Sequence, residues 1–96
     1  MTKIDTEVLI IGGGILGSAV ARELSRYKVD ATLVEKEVDF GWGITKASLC
    51  MVCQGGDCLD FRKEYHRSRL VWDSIPMMEP LCQELDVPFK RIGELG

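Results

Sequence analysis

The sequence lacks the features of nucleic-acid-binding and membrane-spanning proteins. Its 96 residues carry 12 basic and 15 acidic side chains, so the net charge is −3. The basic residues are scattered, which argues against nucleic acid as a partner, because phosphate backbones are bound by concentrated positive charge. No apolar run approaches the roughly 20 residues needed to cross a bilayer.

The beginning of the sequence also lacks an export signal. The first apolar run, residues 8–11, is shorter than a signal-peptide core and follows acidic residues. We therefore expect a cytoplasmic protein whose four cysteines remain thiols. The chain has no internal repeat and no low-complexity tract. Its one histidine, His66, lies on a predicted helix, and we interpret it as an ordinary structural residue.

Residues 8–35 predict a strand, a helix and a second strand. Val8 to Ile11 is a continuous apolar run, typical of a strand buried on both faces of a parallel sheet. Residues 15–27 repeat apolar side chains at helical spacing, and residues 31–35 have the pattern of a strand that ends on an acid. This order predicts a Rossmann-type βαβ unit and hence an α/β fold.

Three glycines follow the first predicted strand with a spacing that suits phosphate binding. Gly12, Gly14 and Gly17 form the pattern G-x-G-x-x-G, with Ile15 and Leu16 before the last glycine. The first glycine permits the turn, the second lets the backbone approach a pyrophosphate, and the third lets the helix pack against the strand. The N-terminus of the helix adds N–H donors and a positive dipole end. The motif therefore predicts a dinucleotide site.

An acid ends the second predicted strand. Glu35 follows Gly17 by 18 residues, a position from which a carboxylate accepts hydrogen bonds from a ribose 2′-hydroxyl. The same charge would repel a 2′-phosphate, so NADP is disfavoured, whereas FAD and NAD both use such a unit. The alternative is a surface βαβ unit with a solvated glutamate.

The rest of the chain predicts a glycine-containing loop and then helices interrupted by proline. A helix is predicted from about Leu59 to Ile75, and Pro76 ends it. A short helix is predicted from Leu81 to Leu85, and residues 89–92 are predicted to begin another strand.

The sequence resembles a known family. Residues 8–37 are similar to the N-terminus of D-amino-acid-oxidase-like FAD-dependent oxidoreductases. Residues 35–48, Glu-Lys-Glu-Val-Asp-Phe-Gly-Trp-Gly-Ile-Thr-Lys-Ala-Ser, are similar to the segment of one subgroup that leads from the ribose acid to the flavin. Together with residues 84–95, they resemble most the subgroup of glycerol-3-phosphate and L-2-hydroxyglutarate dehydrogenases. The resemblance spans nearly the whole chain but only the first part of such a protein. We therefore expect the chain to be the truncated start of a larger domain.

The resemblance implies FAD as the cofactor and assigns ten residues to it. These are Gly12, Gly14, Ile15, Leu16 and Gly17 at the pyrophosphate, Glu35 and Lys36 at the adenosine ribose, and Thr45, Lys46 and Ser48 near the pyrophosphate, ribityl chain or flavin. For Thr45 and Lys46 the alternative is a solvated loop. Within one dinucleotide-binding domain, 1–36 would form the βαβ unit, 37–58 a flavin-side loop, and 59–96 helices and the start of the next strand.

The activity implied by the resemblance is oxidation of glycerol 3-phosphate or a 2-hydroxy acid, with hydride transfer to the flavin. Its partners would be that small molecule and an electron acceptor, through which the protein could contact a membrane peripherally. The sequence identifies no catalytic residue, so the catalytic residues are left unassigned, and we expect the chain alone to be inactive. The alternatives are a non-catalytic dinucleotide-binding remnant and a flavin disulfide reductase-like redox protein.

Three closely spaced cysteines keep further alternatives open. Cys50 and Cys53 form a C-x-x-C, and Cys53 and Cys58 form a C-x4-C like that of flavin disulfide reductases. A zinc site completed by Cys82 would need a second close pair, which the spacing does not provide, so no metal is predicted. Cys53 stands where the family that the chain resembles commonly has a histidine near the flavin, so a covalent flavin link is another alternative. Our preferred interpretation is free thiols.

Overall fold

The computed structural model describes residues 2–53 and 65–93. Its internal contacts divide the chain into two units, Met1–Leu49 and Cys50–Gly96. The predicted helix start at Leu59 lies outside the described residues. None of the helices in the described ranges is both long and apolar enough to span a membrane.

The first unit is a βαβ unit. Strand β1 (Val8–Ile11), helix α1 (Ile15–Leu24) and strand β2 (Ala31–Val34) follow one another, and the two strands pair in parallel. The register pairs each residue of β1 with the residue 23 positions later. The α/β class and the βαβ order are therefore confirmed. Because parallel strands end at the same edge of a sheet, the residues that follow β1 and β2 are placed side by side.

Helix α1 is shorter than the apolar pattern predicts. It ends at Leu24 rather than at Tyr27, and the N–H of Tyr27 donates to the Leu24 carbonyl at 3.0 Å. A bond between residues three apart closes a tighter turn than an α-helix does, so the chain leaves the helix axis here. This turn starts the return to β2.

The two faces of the sheet differ in burial. Ile10 is buried, and its side chain lies next to Gly17 of α1. Leu9 and Ile11 alternate with it along the strand and are 54% and 82% exposed. The prediction that β1 is buried on both faces is therefore wrong. In the described part of the chain, helix α1 covers one face of the two-stranded sheet and the other face is exposed.

The second unit contains one long helix where the sequence predicts two. Helix α2 (Tyr65–Glu84) runs through both Pro76 and Pro80. A proline removes one N–H donor, but its ring fixes φ near −65°, which is a helical value. The two prolines therefore remove hydrogen bonds from α2 without ending it, and the predicted break is wrong.

Helix α2 ends in a Schellman motif. The N–H of Val87 donates to the Cys82 carbonyl at 2.8 Å, and the N–H of Asp86 donates to the Gln83 carbonyl at 3.3 Å. Asp86 has φ of +54°, the left-handed conformation that this motif requires. An L-residue with a Cβ pays a steric penalty there, which glycine avoids.

Replacing Asp86 with glycine should stabilise the helix end. We expect Asp86→Gly to raise the free energy of unfolding by about 0.5–1 kcal/mol, the left-handed penalty less the greater freedom of glycine in the unfolded chain. Urea unfolding followed by circular dichroism at 222 nm measures the effect. Gln83→Gly is the matched control inside the helix and should destabilise by about 1 kcal/mol. A destabilised Asp86→Gly variant would contradict the motif.

The strand predicted at residues 89–92 is absent from the described part of the chain. The segment has no regular secondary structure, and among residues 50–53 and 65–93 no strand lies beside it to share hydrogen bonds. Instead Arg91 donates to the Glu79 carboxylate at 2.8 Å and ties the segment back to α2. The predicted strand start is therefore wrong.

Candidate functional site

The turn between β1 and α1 begins with a glycine in a conformation that other residues avoid. Gly12 has φ of +106°, and its N–H donates to the Val34 carbonyl at 2.8 Å. That bond continues the pairing of the two strands by one residue while the chain turns away toward α1. A side chain at this position would strain the backbone.

The first turn of α1 packs directly on the backbone of this loop. A Cβ atom on Gly17 would overlap the carbonyl oxygen of Gly12 and lie in contact with Ile10. The overlap is with backbone, which cannot rotate aside as a side chain could. Gly17 therefore sets how closely the helix N-terminus approaches the end of β1, as the G-x-G-x-x-G spacing predicts.

Glu35 is tied to the glycine loop by its carboxylate. One oxygen accepts the N–H of Gly13 at 2.6 Å, and the other accepts the N–H of Glu37 at 2.9 Å. The hydrogen bond from the Glu37 amide, and next that from the Gly13 amide, lower the pKa of Glu35 below its usual range. Desolvation of the carboxylate opposes this shift. Glu35 is therefore a carboxylate at neutral pH and lies beside the loop that the sequence assigns to phosphate.

Thr45 reaches the same loop from a short 3₁₀ turn, Ile44–Ala47. Its hydroxyl oxygen accepts the N–H of Ile15 at 2.9 Å. The N–H of Ile15 is the first in α1, and the capping residue before it, Gly14, has no side chain to supply an acceptor. The structure thus brings Thr45 to the helix N-terminus across 30 positions of sequence.

The loop retains donors that could bind an anion. No acceptor among the described residues takes the N–H of Gly14 or Leu16. These amides flank Ile15 at the positive end of the α1 dipole, where backbone N–H groups and the dipole both favour negative charge. The close packing at Gly17 and the two amides fit the pyrophosphate that the sequence predicts.

Three other predicted cofactor residues make different contacts. Lys36 pairs with Glu37 at 3.9 Å, and the ammonium of Lys46 lies 4.0 Å from the centre of the Trp42 ring. The N–H of Ser48 donates to the Thr45 carbonyl at 3.2 Å. These contacts neither place the three side chains at the cofactor nor exclude them, so their assignments stay predictions.

The sequence interpretation missed residues that complete the loop. The N–H of Gly13 donates to the Glu35 carboxylate, and the Gly13 carbonyl accepts the N–H of Gly41 at 2.8 Å. The ring of Phe40 fills the space that a Cβ on Gly13 would need. Gly13 falls on a variable position of the motif, so spacing gives no signal for it, and nothing local marks Phe40 or Gly41.

Cys50, Cys53 and Cys82 form no disulfide within the described residues. Cys50 and Cys53 are exposed and Cys82 is buried, whereas Cys58 lies outside the described residues. No group of three or more metal-ligating side chains occurs in residues 2–53 and 65–93. The C-x4-C alternative, which needs Cys58, is not tested by these contacts.

Curated relatives resemble this chain over most of its length or over part of it. A glycerol 3-phosphate dehydrogenase of Caloramator mitchellensis is 40% identical over 89 residues, which is 93% of this chain and 18% of that protein. A glycerol 3-phosphate oxidase of Mycoplasma pneumoniae is 63% identical over 30 residues, 31% of this chain and 8% of that protein. A glycerol 3-phosphate oxidase of Mycoplasma genitalium is 39% identical over 51 residues, 53% of this chain and 13% of that protein.

The chain spans less than a fifth of the length of the curated relatives it matches. No solved structure gives a significant match. The sequence profile described as FAD dependent oxidoreductase matches residues 7–95, which include the glycine loop, Glu35 and Thr45. With that match and the βαβ geometry around its glycine loop, the chain belongs to the family of FAD-dependent oxidoreductases.

Proposed function

We propose that this chain binds the ADP half of FAD. In this role it would be the cofactor-binding part of a flavoenzyme, and that enzyme would oxidise glycerol 3-phosphate. The observation that carries the proposal is the geometry of the glycine loop. The N–H of Gly13 donates to the Glu35 carboxylate, and among the described residues no acceptor takes the N–H of Gly14 or Leu16. The loop thus combines an anion site and a hydroxyl acceptor, which are the two groups that an ADP moiety requires.

The pyrophosphate would lie at the N-terminus of α1. The amides of Gly14 and Leu16 would donate to its oxygens, and the charge of the phosphate makes such bonds stronger than neutral ones. The backbone can be approached closely because Gly12 and Gly14 carry no side chains. These are the roles that the sequence predicts for the glycines.

Glu35 would hold the adenosine ribose. Each of its oxygens already accepts one N–H, but a carboxylate oxygen has a second lone pair that can accept a ribose hydroxyl. Its negative charge, favoured by the lowered pKa, would repel a 2′-phosphate. The site therefore favours FAD over NADP.

The substrate assignment rests on the relatives. Those described above are glycerol 3-phosphate dehydrogenases and oxidases, and oxidation of a 2-hydroxy acid is the second candidate from the sequence. FAD supplies the hydride acceptor when bound, while this chain would grip the end of the cofactor remote from the chemistry. A cytoplasmic location, and membrane contact only through an electron acceptor, belong to the same proposal.

Calorimetric titration of the chain with FAD, ADP and 2′-phospho-ADP tests the cofactor assignment. We expect FAD and ADP to bind with similar, weak dissociation constants of roughly 0.1–1 mM, about −4 to −5.5 kcal/mol, because both use the same half-site. We expect 2′-phospho-ADP to bind at least about tenfold more weakly, because like charges would face each other at Glu35.

Adenosine is the matched control, because it keeps the ribose and lacks the pyrophosphate. It should bind more weakly than ADP if the helix N-terminus holds phosphate. Equal binding of ADP and 2′-phospho-ADP would remove Glu35 from the ribose. A failure of FAD and ADP to bind the folded chain would refute the proposed function.

A further inference from the structure

The first amide of α1 is capped by a residue distant in sequence. Ile15 donates its N–H to the hydroxyl oxygen of Thr45 at 2.9 Å, and Gly14 makes no side-chain cap of its own. A hydroxyl that accepts a bond from the first turn stabilises a helix as an N-cap does. Thr45 therefore serves α1 as its side-chain cap.

Thr45 belongs to a segment that crosses the glycine loop at three points. This segment, residues 40–48, is called the strap. The ring of Phe40 lies against Gly13, the N–H of Gly41 donates to the Gly13 carbonyl at 2.8 Å, and Thr45 accepts the Ile15 N–H. Two of these contacts hold the backbone of Gly13, and the third holds the helix N-terminus.

The Thr45 contact engages a donor that an anion at this end of α1 would also use. The N–H of Ile15 lies between those of Gly14 and Leu16, for which no acceptor exists among the described residues. An N–H makes one strong hydrogen bond, so the Thr45 oxygen and a phosphate oxygen cannot both take it fully. A charged phosphate is the stronger acceptor of the two.

We propose that Thr45 and the FAD pyrophosphate compete for the N–H of Ile15, so that cofactor binding releases the strap at Thr45. This inference rests on the proposed function and adds an affinity-determining role for Thr45. Molecules in which Thr45 holds Ile15 bind the pyrophosphate less well. The apparent affinity is therefore the intrinsic affinity multiplied by the fraction of molecules in which Thr45 does not hold Ile15.

Thr45→Val tests the competition, because valine keeps the branched shape and lacks the acceptor. We expect the variant to bind ADP about three- to tenfold more tightly than the original chain in calorimetric titration, the range that loss of one helix cap allows. Thr45→Ser, which keeps the hydroxyl, is the matched control and should bind ADP with the original affinity. Hydrogen exchange at the Ile15 amide, measured without ADP, should be faster in Thr45→Val only.

Phe40→Ala gives a second variant that leaves Thr45 intact. Phe40 is 62% exposed, so its removal costs the fold little, yet it frees the strap from Gly13. It should raise the affinity for ADP by a smaller factor than Thr45→Val. This variant keeps the test decisive if Thr45→Val does not fold.

The outcomes separate this inference from the proposed function. Weaker binding of ADP by Thr45→Val than by Thr45→Ser would show that the hydroxyl donates to the phosphate, which overturns the competition and leaves the ADP site intact. Equal affinity of all the chains also overturns it. If none of the folded chains binds ADP or FAD, the proposed function fails and the competition with it. Exchange at Ile15 then still reports whether Thr45 caps the helix.

Discussion

Gly17→Ala should destabilise the βαβ unit and weaken the binding of ADP and FAD at least about tenfold. The new Cβ would overlap the carbonyl oxygen of Gly12, and since that atom belongs to the backbone, α1 has to move away from β1. Overpacking of this kind costs about 1–3 kcal/mol, and we expect the upper end because no side chain can rotate to relieve it. Urea unfolding measures the loss, and titration with ADP should show at least a tenfold weaker affinity.

Gly43→Ala is the control for this substitution. A Cβ on Gly43 meets no atom within 4 Å, although its ψ of −135° is less favourable for alanine than for glycine. Gly43→Ala should therefore lose less stability than Gly17→Ala and should keep an ADP affinity close to that of the original chain. If Gly17→Ala kept the original affinity, α1 would not meet the loop as closely as described. A similar loss in both variants would point to a general effect of alanine.

Glu35→Gln should remove a pH-dependent contribution to stability. Amides of Glu37 and Gly13 hold the pKa of Glu35 below its usual value of 4.5, so folding favours the carboxylate. The resulting stabilisation is complete above about pH 4.5 and is lost as the pH falls through the lowered pKa. The side-chain oxygen of glutamine can accept one of the two N–H groups. Its NH2 group would face the other N–H, and two donors do not form a hydrogen bond. The difference in unfolding free energy between the two chains should therefore be greatest above pH 4.5 and shrink as the pH falls below it.

Glu23→Gln provides the control, since it removes one negative charge from the exposed surface of α1. Urea unfolding of all three chains between pH 3 and 7 separates the specific contribution of Glu35 from the general effect of charge. At pH 7 Glu35→Gln should also weaken ADP binding by about tenfold, the scale of a hydrogen bond to a charged group. A stability difference that is constant with pH would contradict the bond from Glu35 to Gly13.

The candidate site could be predicted from the sequence as a set of residue types but not as a set of contacts. The G-x-G-x-x-G spacing and the acid after the second strand follow from local chemistry, so Gly17 and Glu35 could be found without coordinates. The bond from Gly13 to Glu35 joins residues 22 positions apart, and that from Ile15 to Thr45 joins residues 30 apart. No periodic pattern in the sequence predicts contacts between residues so far apart. The family resemblance placed Thr45 near the cofactor but did not identify the residue that it contacts.

The sequence alone determined the bounds of β1 and the beginning of α1, because an apolar run ending at glycines favours one local structure and excludes others. Tertiary structure decided the rest. Helix α2 continues through Pro76 and Pro80, because the fixed φ of proline is compatible with a helix even though each proline removes a hydrogen bond. Residues 89–92 have the composition of a strand but do not form one, because a strand exists only when another strand accepts its hydrogen bonds.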